Sequence, residues 1–207
     1  MKKIFTTIVC LLSLFSASAQ YQSTATETAV THLTFKGLRI DGTPENFSNK
    51  LESLGYTFSA NFDDGEQLYK GNFSGHDCSI YVCSHNKLMY EVVVGFPDAN
   101  NWETLYNYFT TYKNLLTTKY GECSKTEETF INTPSTVNIN QDEAKFEEAK
   151  NMRCRYYAIF NVNSPEKGYG YIKLEIQPER IAIRYVDIVN ENIVNDLKKV
   201  DERLADL

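Results

Sequence analysis

The amino-acid sequence predicts an α+β fold in which tandem helix-plus-antiparallel-sheet repeats form one continuous sheet with helices on one face. Two stretches of the 207 residues, at 44–54 and 102–120, carry apolar residues at helical spacing. Each stretch ends at a glycine and is followed by segments in which apolar and polar residues alternate. This alternation, interrupted by turn residues, is typical of antiparallel strands.

The first repeat begins with an extended segment and a short helix. Residues 33–40 are predicted to form one strand, because apolar side chains recur along a short extended stretch. Thr43 suits the N-cap of the helix and Pro44 suits its first position. The helix is predicted over 44–54, with Gly55 as its C-terminal cap.

Four strands are predicted after this helix, at about 56–62, 67–73, 78–83 and 88–96. The Asp-Asp-Gly sequence at 63–65 indicates a hairpin between the first two of them. The first repeat is therefore expected to be one helix followed by an antiparallel run of strands.

The second repeat has the same order with an insertion. Its helix carries an apolar stripe, is capped by Asn100 or Asn101, and ends at Gly121. An extended segment, a polar loop and a charged helix follow at 123–130, 133–141 and 142–151. Three strands close the repeat, and each presents one apolar set to a covered face: Cys154, Tyr156, Ala158, Phe160 and Val162; Ile172, Leu174 and Ile176; Ile181, Ile183 and Tyr185.

The two repeats define the predicted domain organisation. Leu54-Gly55-Tyr56 and Tyr120-Gly121-Glu122 occupy equivalent positions, at the end of each helix. We expect half-repeats at about 32–97 and 98–190, followed by a C-terminal helix over 191–207. The apolar residues of that helix have 4-3-4-3 spacing: Ile193, Leu197, Val200, Leu204 and Leu207.

The N-terminus has the pattern of a secretory signal peptide over residues 1–19. Two lysines precede an apolar stretch at 4–15, and Ala-Ser-Ala at 17–19 forms a small-x-small cleavage site. The apolar stretch is shorter than the roughly 20 residues that a membrane-spanning helix needs. We therefore expect an exported, periplasmic or extracellular protein without a membrane span, with a mobile leader at 20–31.

Cleavage would change the charge and the cysteine count. It would leave 19 basic against 27 acidic residues, a formal charge of −8, which argues against a nucleic-acid ligand. Cys78, Cys83, Cys123 and Cys154 would remain. The ends of a strand over 78–83 are roughly 16 Å apart. A disulfide spans at most about 7 Å, which excludes a Cys78–Cys83 bond, while the other pairings stay open.

Three segments resemble a family of uncharacterised exported Bacteroidota proteins. They are 33–43, the helix that ends in Lys-Tyr-Gly at 119–121, and Ala-Ile-Arg-Tyr-Val-Asp at 182–187 with the charged, Leu-rich end. These motifs are structural, and the resemblance implies no function. At the level of architecture, the doubled helix-plus-sheet order is similar to β-lactamase-inhibitor-protein-like domains, an analogy of fold alone.

Two His–Cys pairs are the sharpest candidates for chemistry: His76 with Cys78, and Cys83 with His85. On one strand the two pairs point to opposite faces, so they are not expected to form a zinc site. Cys83 and His85 share a face, but Cβ atoms two residues apart on a strand are about 6.5–7 Å apart, so a Cys–His catalytic pair is not expected either. The Gly-x-Ser-x-Gly and His-Glu-x-x-His motifs are missing from the sequence. We therefore expect no catalytic residue, no metal ligand and no cofactor.

The chain is rich in aromatic residues, with 14 Tyr, 12 Phe and one Trp. Tyr81, Tyr157 and Tyr171 fall on the less apolar faces of their predicted strands. If that face of the sheet is open, these tyrosines form a binding surface, since aromatic side chains are favoured in interfaces. Alternatively, they are ordinary cross-strand pairs on a solvated face.

The function predicted from these observations is a non-enzymatic, extracytoplasmic binding module. Its ligand, a protein or a glycan, would bind to the aromatic-rich sheet face through Tyr81, Tyr157 and Tyr171. Two alternatives stay open. One is an envelope enzyme with an unrecognised cysteine or carboxylate site, and the other is a structural cell-surface protein. The sequence leaves the oligomeric state open.

Overall fold

The computed structural model describes residues 31–62 and 65–205. The predicted signal peptide, residues 20–30 of the predicted leader, the two aspartates of the 63–65 turn, and residues 206–207 lie outside the described residues. In chain order the elements are β1 (Thr34–Phe35), β2 (Leu38–Arg39), α1 (Pro44–Ser53), β3 (Thr57–Asn61), β4 (Gln67–Phe73), β5 (His76–His85), β6 (Leu88–Gly95), α2 (Trp102–Tyr120), β7 (Lys125–Phe130), α3 (Asp142–Lys150), β8 (Cys154–Ser164), β9 (Gly168–Gln177), β10 (Arg180–Asp187) and α4 (Ile188–Ala205).

Eight antiparallel strands form one continuous sheet, in the order β3-β4-β5-β6-β10-β9-β8-β7. The first four belong to one repeat and the last four to the other. The final strands of the two repeats, β6 and β10, pair at the centre, where Val94 lies opposite Ile183. The α+β class and the continuous sheet are therefore confirmed.

The helices of the two repeats, α1 and α2, pack on the same face of the sheet, which we call the covered face. Ile80, Val94, Ile183 and Leu174 lie side by side across four strands of this face, and all four are fully buried. They form one apolar cluster with side chains from both helices, among them Leu51 and Phe109. Burial of this cluster is the main favourable term in the stability of the domain.

Local sequence explains where the two helices begin and end. Asn101 caps α2, because its side chain accepts the backbone N–H of Thr104 at 2.8 Å. Gly121 ends that helix with φ of +89°, a conformation that costs glycine little. At α1, Pro44 is the first residue as predicted, but Thr43 makes no side-chain capping bond.

The prediction of a single strand over 33–40 is wrong. The segment folds into the two-stranded hairpin β1–β2, with Lys36 and Gly37 at φ of +49° and +79°. The backbone N–H of Ile40 donates to the Leu33 carbonyl at 2.8 Å and closes the hairpin. Leu33, Phe35 and Ile40 are all fully buried, although alternation along one continuous strand would place Ile40 on the opposite face from the other two.

The opposite side of the sheet, which we call the second face, is covered at one end by α4. This helix lies outside the repeats and begins at Ile188, directly after β10. Tyr171, which alternates with the buried Ile172, donates its hydroxyl to Glu191 of α4 at 3.0 Å. Val194, also on α4, is buried.

None of the helices within the described ranges has the length and apolar character of a membrane span.

Candidate functional site

The three predicted tyrosines all lie on the second face, but the structure does not bring them together. Tyr81 lies on β5, Tyr171 on β9 and Tyr157 on β8. Four strand intervals separate β5 from β8, so Tyr81 and Tyr157 are about 19 Å apart at the usual strand spacing. They stand at opposite sides of the face rather than in one aromatic platform.

Tyr171 has a partner within the chain. Its hydroxyl bonds to Glu191, and burial together with that carboxylate raises the pKa of the Tyr171 phenol above its ordinary value. Tyr171 thus attaches the first turn of α4 to the sheet. Tyr81 and Tyr157 are the two predicted residues that border the part of the face away from α4.

A hollow of about 380 Å³ surrounds Tyr157 on β7, β8 and β9. Glu127 and Glu175 flank Tyr157 in register on the two neighbouring strands. The ammonium groups of Lys125 and Lys173 lie 5.6 and 5.7 Å from the centroid of the Tyr157 ring. The hollow therefore has an aromatic centre and a rim of both charges.

The ion pairs in this hollow differ in strength. Lys173 pairs closely with Glu175, whereas Arg155 lies 3.9 Å from Glu127 and is largely exposed. Among the described residues, no carboxylate lies within ion-pair distance of Lys125, and its ammonium group lies over the Tyr157 ring. Lys125 is therefore the cation best placed to pair with a negatively charged group of a ligand.

A second hollow of about 280 Å³ lies on the β5 side of the same face. In it, Lys70 donates to the Ser79 hydroxyl at 2.8 Å, and Arg180 pairs with Asp98 at 2.7 Å. A row of paired residues on adjacent strands connects the two hollows. It runs from Ser79 through Gly95 and Ala182 to Glu175 and Tyr157. We call the following residues the open second-face surface: Lys70, Ser79, Tyr81, Lys125, Tyr157, Lys173, Glu175 and Arg184.

At the border of this surface with α4, the partly exposed Arg184 forms an ion pair with the buried Glu91. Arg184 donates to the Glu91 carboxylate from Nε at 2.6 Å and from Nη2 at 2.8 Å, and Glu91 is only 3% exposed. Burial raises the pKa of Glu91, and the guanidinium of Arg184 opposes that rise. Glu91 and Arg184 were not among the residues predicted from the sequence, although opposite charges inside two largely apolar strands were an available signal.

The two His–Cys pairs are separated, as the alternation of the strand predicts. His76 lies beside the Tyr112 hydroxyl at 2.9 Å, and His85 contacts Asp201 of α4 at 2.9 Å. The described cysteines are all free, and burial raises the pKa of Cys78 to about 11. Within the described ranges, no three His, Cys, Asp or Glu side chains are grouped as metal ligands would be.

No family model, curated protein or solved structure matches this chain.

Proposed function

We propose that the chain is an exported, non-enzymatic binding module that holds a protein ligand on the open second-face surface. The observation that carries this proposal is the pair of hollows on that surface. Tyr157 lines the first hollow, and side chains of both charges line each of the two. Tyrosine and arginine are enriched in protein interfaces, because each combines a large contact area with hydrogen-bonding groups.

The surroundings of the two tyrosine rings favour a protein over a glycan. Stacking on a sugar requires a free aromatic face. Two lysine ammonium groups lie over Tyr157, and Phe62 stacks on Tyr81 with ring centroids 6.4 Å apart. A protein surface instead contacts ring edges, hydroxyls and the surrounding charges, all of which the open second-face surface offers.

The charges on this surface indicate what the partner presents. Lys125 has no described carboxylate partner, and Arg155 is largely exposed with only a long contact to Glu127. A carboxylate of the ligand would gain two cations in the Tyr157 hollow at little cost in broken ion pairs. We expect the partner to place an Asp or Glu side chain there.

The state of the cysteines supports a role without covalent catalysis. A thiol nucleophile reacts as the thiolate, so a catalytic cysteine has a lowered pKa. Burial instead raises the pKa of Cys78 to about 11 and that of Cys154 to about 12. The pKa of Cys83 is raised as well, by burial and by the nearby carboxylates of Glu91 and Glu66.

Export is proposed from the signal-peptide pattern at 1–19. The intact mass of the protein recovered from an envelope or culture fraction tests it. We expect a chain that starts at Gln20, free or cyclised to pyroglutamate. A mass that retains residues 1–19 would contradict export by this route.

Binding is tested by cross-linking the chain to an envelope extract, identifying the partner by mass spectrometry and measuring its affinity after purification. The double variant Tyr81→Ser/Tyr157→Ser and the variant Lys125→Glu should each weaken that affinity at least tenfold. Lys50→Glu, the same charge change on α1 of the covered face, is the matched control and should bind as the parent does.

Thermal unfolding of each variant shows whether the loss is one of binding. Both tyrosines are only half-buried, so each Tyr→Ser change should cost about 0.5–1 kcal/mol of stability. A partner that binds the double variant with unchanged affinity would refute this surface. Binding to a glycan array that the double variant loses would instead make the ligand a glycan.

A further inference from the structure

The C-terminal helix α4 exposes an unusual number of apolar side chains. Of the nine large hydrophobic side chains that are exposed in the described chain, four lie on α4. Ile193, Val200 and Leu204 are 46%, 49% and 61% exposed, whereas Val194 on the inner side is 1% exposed. The helix is therefore attached to the sheet along one side and leaves a second apolar side in solvent.

The spacing of the exposed residues places them in one stripe. Ile193 and Val200 are seven residues apart, and Leu204 is four residues further on, so all three project within about 40° of one another around the helix. Partly buried Leu197 borders the stripe on the side toward the sheet. We call Ile193, Leu197, Val200 and Leu204 the α4 stripe.

The inner side of α4 is already engaged within the chain. Asn190 donates its side-chain N–H to the carbonyls of Ile40 and Met89 at 3.1 and 2.9 Å. Near the other end, Asp201 contacts His85 at 2.9 Å. The helix is thus held at both ends, and the α4 stripe is a preformed surface rather than one that requires ordering on binding.

Charged residues border the stripe on the side away from the sheet: Asp196, Lys199 and Arg203. Asp196 carries the negative charge near the middle of the stripe, and Arg203 carries a positive charge near its end. Asp196 and Lys199 are 79% and 64% exposed and form only an i,i+3 pair at 3.0 Å. Such an exposed pair contributes little to stability, so either side chain can leave it at little cost to pair with an opposite charge across an interface.

We propose that the α4 stripe binds the same stripe of a second copy of this chain, as an antiparallel helix pair about a twofold axis. In that arrangement Ile193 lies near the partner's Leu204, and Val200 lies near the partner's Leu197. The surface is its own complement, which is the condition for a closed symmetric dimer.

The charges select the antiparallel direction. When Ile193 meets the partner's Leu204, Asp196 of each copy lies beside the partner's Arg203, which gives two opposite-charge contacts. In a parallel pair about a twofold axis, Asp196 of one copy and Arg203 of the other would lie on opposite sides of the interface, so these two contacts would not form. Charge patterns of this kind set the orientation of paired helices.

Sedimentation velocity over a range of concentrations tests the dimer, with the mature chain as the sample. The parent should show a reversible monomer–dimer shift. Ile193→Gln/Val200→Gln should weaken self-association at least tenfold. Leu115→Gln is the matched control, because Leu115 is also 49% exposed but lies on α2. Circular dichroism of each variant separates loss of association from loss of fold.

A charge swap tests the antiparallel pairing. Asp196→Lys and Arg203→Asp should each weaken the dimer, and the double variant should restore it. A parent that stays monomeric at high concentration, or a dimer that the Ile193→Gln/Val200→Gln variant leaves unchanged, would overturn the proposal. If the double variant dimerises no more tightly than Asp196→Lys or Arg203→Asp alone, the antiparallel pairing is wrong. Tyr81→Ser/Tyr157→Ser should leave the dimer intact, so this test is independent of the ligand surface.

Discussion

The carboxylate of Asp187 accepts the backbone N–H of Leu33 at 2.7 Å, although 154 positions separate the two residues. The same carboxylate caps α4 by accepting the N–H of Asn190 at 2.9 Å, and it lies 3.2 Å from Nδ1 of His32. A single fully buried side chain therefore joins the segment before β1, the end of β10 and the start of α4.

Asp187→Ala should lower the free energy of unfolding by about 3 kcal/mol, as measured by urea titration. The loss of a helix N-cap costs about 1 kcal/mol, and leaving the buried N–H of Leu33 without an acceptor costs about 1–3 kcal/mol. Asp98→Ala is the control, since Asp98 is exposed and makes one surface ion pair with Arg180. It should cost less than about 1 kcal/mol. Equal costs would contradict the role of Asp187.

Gly168→Ala should destabilise the protein more than Gly75→Ala. Both glycines have positive φ, +97° and +91°, so both variants incur the same backbone penalty of about 1–2 kcal/mol. A Cβ at Gly168 would lie 2.2 Å from the carbonyl oxygen of His32, whereas nothing lies within 4 Å of a Cβ at Gly75. Thermal and urea unfolding should show an additional cost of about 1–3 kcal/mol for Gly168→Ala. Equal losses would mean that the segment before β1 is not packed on β9.

Arg184→Ala should cost about 2 kcal/mol near pH 8 and clearly less near pH 5. Burial raises the pKa of Glu91 above its ordinary value of 4.5, so folding favours the protonated carboxyl. The stability contributed by this group is greatest below pH 4.5 and falls as the pH rises toward the folded-state pKa. Without Arg184, the pKa of Glu91 rises further, and ionised Glu91 is buried without a partner.

Urea titrations of parent and variant at several pH values measure this difference. Arg155→Ala is the control, because Arg155 is 58% exposed and lies 3.9 Å from its carboxylate. Its small cost should not change with pH. A cost of Arg184→Ala that is the same at pH 5 and pH 8 would show that Glu91 does not depend on this guanidinium.

Iodoacetamide near pH 8 should label Cys78, Cys83 and Cys154 slowly in the folded protein and rapidly in urea. Burial raises the pKa of Cys78 to about 11 and that of Cys154 to about 12, so the thiolate form is rare. Peptide mass spectrometry after timed labelling measures each site. Fast labelling of Cys83 that is lost in His85→Ala would instead favour the alternative of a cysteine enzyme.

Local pattern predicted most of the elements but not the hairpin β1–β2. The bounds of β4 and of α2 follow from alternation and from helical spacing, which depend on neighbouring residues alone. In the segment 33–40, the apolar residues favour a strand, and the turn at Lys36–Gly37 allows Ile40 to be buried together with Leu33 and Phe35. Gly37 was the available signal for that turn.

The face on which each strand residue lies was already contained in the sequence, because side chains alternate with a period of two along any strand. Tyr81 and Tyr157 are on the second face for that reason. Their separation and the hydrogen bond of Tyr171 to α4 depend on the pairing of β6 with β10 and on the path of the helix after Asp187. Those features arise from contacts between residues far apart in the chain, which no local periodicity encodes.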